Sequence, residues 1–204
     1  MAQIPLNTQF IGLAATVNTV ERRSSLINNE SAPYTMQDIV DTVSPTVTAN
    51  PSVIDLKVTS GTAVTGTTNT VISQTILIPA NTFSDVGGAL EFMARYQKTG
   101  TAANYSSTVY INTSNTLTGA SALAWFSSNP NTLIQGIRTA RISANTLTVY
   151  PANTTALSDY AATSTAQTSV AFDPTVDNYL LFAVQLNDGT DSALVQMARA
   201  VKYE

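Results

Sequence analysis

Residues 70–120 read TVISQTILIPANTFSDVGGALEFMARYQKTGTAANYSSTVYINTSNTLTGA, and three strands with their turns can be read directly from them. Val71 to Ile78 is rich in β-branched side chains and stops at Pro79, which lacks the N–H that a sheet ladder needs. Leu90, Phe92, Ala94 and Tyr96 then alternate with Glu91, Met93, Arg95 and Gln97, the two-residue period of a sheet with one buried and one wetted face. Lys98-Thr99-Gly100-Thr101 supplies a turn. Tyr105, Ser107, Val109 and Ile111 share one face of the third strand, and Asn112 to Gly119 is too polar to join a core.

Composition extends this reading to the whole chain. At 204 residues with 44% hydrophobic side chains, the chain can bury a core for about one large domain. Only 11% of residues are charged, so Thr, Ser, Asn and Gln must build the polar surface, and these suit strands and turns better than helices. The net charge of −4 gives no basic footprint for nucleic acid. Cysteine and histidine are both absent, which removes thiolate nucleophiles, histidine triads, Cys/His zinc sites and imidazole bases. No cofactor is expected. The N-terminus lacks the basic start and apolar core of a signal peptide, and no run of about 18 apolar residues is long enough to span a membrane.

Residues 1–48 differ from the rest. They show no clear strand alternation, and Glu21, Arg22 and Arg23 form their charge cluster. Thr35 to Val43 predicts one short helix, with Thr35 as N-cap and Met36, Ile39, Val40 and Val43 on one stripe. Two turns of helix are not stable alone. The segment is therefore expected to be an arm ordered by partner subunits, with Ile4, Leu6, Phe10, Ile11, Leu13, Ile39 and Val40 buried against them and Arg22 and Arg23 fixing register by ion pairs. The competing reading is a subdomain packed on the chain's own body. Ser44-Pro45 and Asn50-Pro51 bracket a Thr-rich linker, which places a β-domain over residues 49–204.

Beyond the linker, Val53–Val58 and then Leu123–Phe126, Leu133–Ile142, Leu147–Tyr150, Val170–Phe172, Tyr179–Leu186 and Ala193–Val201 read as further strands. About eight to ten strands with no helix between them predict an all-β antiparallel sandwich or barrel. Asn187-Asp188-Gly189-Thr190 between two apolar runs predicts a tight hairpin, with both strands central in one sheet. Phe92, Val109, Ile111, Leu180, Phe182, Val184 and Val195 are the expected core.

Several residues carry chemistry worth weighing. Asp188 and Asp191 flank the expected hairpin tip and offer two carboxylates to a cation, but without EF-hand spacing they read as turn formers. Asp173 and Asp177 have the residue types of a glycosidase pair, but nothing sets their separation, and turn roles fit better. Trp125, Tyr150 and Tyr160 are candidates for a platform on which a sugar ring stacks, although Trp125 in LAWF equally suits a core or interface.

The succession Ile78-Pro79-Ala80-Asn81-Thr82-Phe83, Arg95 to Thr101, Val109 to Ala120 and Val176-Asp177-Asn178-Tyr179-Leu180 resembles the jelly-roll-like domain that recurs in tailed-phage fibre and appendage proteins. Ile4 to Phe10 and Tyr34 to Ile39 resemble the anchoring arms of virion proteins from crAss-like phages. The resemblance implies a structural virion component assembled in the host cytoplasm: a capsid head fibre or decoration protein, or a tail fibre as the sister possibility. It also implies a homotrimer, capsid or tail proteins as partners of the arm, and possible contact with a host surface glycan. No catalytic residues carry over. A receptor- or carbohydrate-binding module is the second function class, and a glycan hydrolase using Asp and Glu is the third.

Overall fold

The computed structural model describes residues 51–66, 69–83, 87–127, 133–150, 153–154 and 167–203, all within the unit spanning residues 49–204. The expected arm over 1–48, with its short helix, lies outside the described residues. Twelve strands are described: β1 Ser52–Lys57, β2 Val64–Thr65, β3 Val71–Ile78, β4 Gly88–Thr99, β5 Tyr105–Asn112, β6 Ser121–Ser127, β7 Leu133–Ser143, β8 Thr146–Val149, β9 Asn153–Thr154, β10 Thr168–Ala171, β11 Asn178–Leu186 and β12 Ser192–Tyr203. No helix occurs among the described residues, and the fold is an all-β sandwich.

One sheet has seven strands, in the order β1-β12-β4-β7-β8-β10 with β2 also on β12, and the other has five, in the order β3-β11-β5-β6-β9. The strand pairs β1–β12, β3–β11, β4–β7 and β5–β6 nest as in one long folded ribbon, and β12–β4 and β11–β5 join the ribbon to itself. That wrapping defines a jelly roll. Strands β8 to β10 are an insertion between β7 and β11. Every pairing is antiparallel except β6 with β9, where Trp125 lies beside Asn153 and Phe126 beside Thr154.

Alternation explains the core. On β4, Leu90, Phe92, Ala94 and Tyr96 point between the sheets, and on β5 Tyr105, Ser107, Val109 and Ile111 do the same from the opposite side. All seven expected core residues are buried. Met93 departs from the expected wetted face of β4, because it too is buried. Two aromatic pairs lie within the core: Phe83 meets Phe172 edge-on at 6.0 Å, and Tyr96 meets Phe126 at 6.3 Å.

The expected hairpin at Asp188-Gly189 is not one. Strand β11 belongs to the five-stranded sheet and β12 to the seven-stranded sheet, so residues 187–191 cross between layers. Asp188 Oδ1 accepts from the N–H and hydroxyl of Thr190, an Asx-type turn, and Gly189 does not take a positive φ. The tight hairpin lies elsewhere. Ala144 and Asn145, at φ 47° and 59°, join β7 to β8 with Ser143 paired to Thr146, the double positive φ of a type I′ turn.

A bulge in β12 also ties the layers. The register shifts between Val195 and Met197, and the freed Val195 N–H donates to the Ser73 hydroxyl of β3 at 2.9 Å. Val195 C=O accepts from Gly61 N–H at 2.8 Å, and Ser73 Oγ donates in turn to Thr62 C=O. The connection from β1 to β2 thus satisfies polar groups that a bulge would otherwise bury unpaired.

Candidate functional site

At one end of the sandwich the links β4–β5 and β11–β12 meet in a buried clasp. Lys98 sits at an inward position near the end of β4 and is 2% exposed; its Nζ lies 2.6 Å from Asp191 Oδ2 and donates to Thr101 C=O. Asp191 also accepts from the Thr101 N–H and hydroxyl. The hydrogen bond from Lys98, followed by those from Thr101, holds the Asp191 carboxyl below the ordinary aspartate range. Gly100 permits this approach at φ 118°, since a Cβ there would run into the Asp191 carboxylate. In sequence Asp191 reads as a turn former and Lys98 as the first residue of a turn; β4 instead runs on to Thr99, so the alternation carries Lys98 inward after Tyr96 and brings its ammonium to the Asp191 carboxylate.

The other carboxylates flagged by sequence are also engaged within the fold. Asp173 Oδ1 accepts from the N–H and hydroxyl of Thr175, bonds that lower its pKa, and Asp177 Oδ1 accepts from Ala80 N–H at 2.8 Å. Asp188 is lowered in the same way by Thr190. Asp173 edges a hollow of about 260 Å³ between the β5–β6 loop and the start of β11. The Asn112 and Asn178 amides beside it already donate to loop carbonyls, which makes the hollow a product of loop organisation. Among the described residues no group of three or more metal-ligating side chains occurs.

Of the three aromatic candidates, Trp125 and Tyr150 are separated. Trp125, 38% exposed, alternates with inward Phe126 and so faces outward from the five-stranded sheet. Tyr150, 44% exposed, follows inward Val149 and faces outward from the seven-stranded sheet. Tyr160 lies outside the described residues, as do Ile4, Leu6, Phe10, Ile11, Leu13, Arg22, Arg23, Ile39 and Val40. The expected platform is therefore not assembled from Trp125 and Tyr150.

Tyr150 instead borders a groove of about 390 Å³ on the outer face of the seven-stranded sheet. Arg141 and Thr139 of β7 line it with Thr148 of β8 and Gln167. The register explains the hollow. Arg141 has Ala89 of β4 on one side and Thr148 on the other, two small side chains flanking a long one. Among the described residues no carboxylate lines the groove. Glu91, next along β4, is held by Arg199 and the Tyr203 hydroxyl. Among the described cations, Lys57, Lys98 and Arg199 are ion-paired and Arg95 and Lys202 donate to oxygen acceptors, whereas no ion pair or hydrogen bond holds the Arg141 guanidinium.

Arg138, also on β7, is fully buried. Its guanidinium lies over the Phe126 ring at 4.7 Å and donates to Ile137 C=O at 2.7 Å. Gly136 makes room for that ring, since a Cβ there would lie 2.5 Å from it.

The chain matches no protein-family model and no curated protein.

Proposed function

We infer that the chain is a structural component of a phage virion, a capsid head fibre or decoration protein that residues 1–48 attach and whose β-sandwich projects outward. The observation that carries this reading is the jelly-roll strand order, an architecture that recurs in viral structural domains and agrees with the fibre-like phrases of the sequence. The engagement of Asp173, Asp177, Asp188 and Asp191 in turns and in the clasp supports it, since these groups serve the rigidity of the body. A homotrimer belongs to the same proposal. Strand β1 ends its sheet among the described residues, and exposed Val53, Leu56 and Val58 on and just beyond it give copies of the chain an apolar edge to bury.

The test is incorporation. Gradient-purified particles should contain the full chain in fixed proportion to the capsid protein, and a chain lacking residues 1–48 should fold yet be missing from them. Normal occupancy by the truncated chain would show that the arm is not the anchor, and a truncated chain that fails to fold would make the arm part of the body's own core. The groove beside Tyr150 favours the sister reading, a tail-fibre module that binds a host glycan.

A further inference from the structure

We propose that the groove on the outer face of β7 and β8 binds an acidic sugar residue, a uronic or sialic acid unit of a surface polysaccharide, with Arg141 receiving its carboxylate and Tyr150 its ring face. The proposal deepens the glycan-binding reading and is independent of where the chain sits on a particle.

Three observations point to that ligand. Arg141 presents a guanidinium that no ion pair or hydrogen bond occupies, on a chain whose net charge is −4 and in a groove whose described lining holds no carboxylate. A planar guanidinium matches a carboxylate with two parallel hydrogen bonds. Tyr150 stands diagonally across the β7–β8 pair from Arg141, two residues beyond its partner Thr148, and such neighbours are about 7–8 Å apart. That spacing sets the aromatic face beside the cation at the scale of one pyranose ring. Apart from the Ala89 methyl group, the rest of the described lining is hydroxyl and amide, from Thr139, Ser143, Thr148 and Gln167, the groups that exchange hydrogen bonds with sugar hydroxyls. A neutral sugar would leave the guanidinium unused. An extended nucleic acid would meet the repulsion of the net negative chain outside this one cation.

The experiment is a glycan array carrying uronic-acid, sialic-acid and neutral glycans, probed with the full chain at low salt, followed by titration of the strongest acidic glycan. Acidic glycans should be retained over neutral ones, with affinity falling as salt is raised. Arg141→Gln should weaken binding by about tenfold or more, the loss of one charge-assisted contact. Tyr150→Ala should also weaken it, while Trp125→Ala on the opposite sheet should bind as the parent does. Both groove side chains are exposed, so melting temperatures should stay level and confirm that the variants are folded. Equal retention of neutral and acidic glycans, no retention of either, or undiminished binding by Arg141→Gln would each overturn the assignment. Incorporation into particles is measured separately, so a failure of binding leaves the virion reading standing.

Discussion

A glycine decides how the interior is filled around Arg138. Gly136 carries no side chain where the Phe126 ring crosses from the other sheet, and that ring in turn supports the guanidinium of Arg138. Gly136→Ala would press a methyl group into the ring in a close-packed interior, and both sheets would have to give way. The expected cost is about 1–3 kcal/mol, read as a lower midpoint in urea denaturation with an unchanged slope. An unchanged midpoint would mean that Phe126 is free to move aside. The sequence showed that Gly136 and Arg138 share a face of β7, since alternation gives that much. It did not show that the face was the buried one for an arginine, because the aromatic that accommodates the charge comes from a strand in the other layer.

Strands were legible wherever β-branched and apolar residues alternated, and all ten strands read from the sequence occur near their expected positions. Their assignment to sheets was not legible. A period of two tells which residues share a face but says nothing of which strand lies alongside, so Asp188-Gly189 reads as a hairpin although it crosses between layers. The real two-residue hairpin uses Ala144 and Asn145, with no glycine to advertise it. The groove is half legible for the same reason: Tyr150 stands out as a candidate for a sugar-stacking platform, whereas the vacancy beside Arg141 depends on Ala89 arriving from β4. At this scale the edge strand β1 gives the clearest test of assembly. Leu56→Lys places a charge on an exposed apolar edge and should leave the fold intact while lowering the sedimentation coefficient of the proposed trimer toward that of a monomer. A species of unchanged size would exclude this edge as the contact between copies.

The molecule as a whole has little that titrates near neutrality. Asp173, Asp188 and Asp191 are held below the ordinary aspartate pKa by hydrogen bonds, so near pH 4 the unfolded chain binds more protons than the folded one. Their stabilisation is fully present above about pH 4 and is lost as the pH falls further. Burial raises Tyr96 and Tyr105, so their contribution is present below about pH 10 and is lost as the pH rises beyond it. No histidine or cysteine fills the interval. Melting temperature should therefore be flat from about pH 5 to 9 and fall on both sides, with tyrosinate absorbance from Tyr96 and Tyr105 appearing only as the protein unfolds. A step in melting temperature near pH 6 or 7 would contradict this account.

The pairing of the first described strand with the last has a mechanical meaning. Ser52 lies opposite Lys202 and Lys57 opposite Ala198, so the outward ends of β1 and β12 leave the sheet side by side. Tension between residues 51 and 203 would part the β1–β12 ladder one rung at a time, because antiparallel hydrogen bonds run across the strands and a pull at adjacent ends meets them singly. Tension between residue 51 and the far end of β12 would stretch the same rungs together in shear. A body held only through residues preceding β1 never has β1 and β12 pulled apart, whereas one strung into a line by both ends would be loaded along that ladder one hydrogen bond at a time.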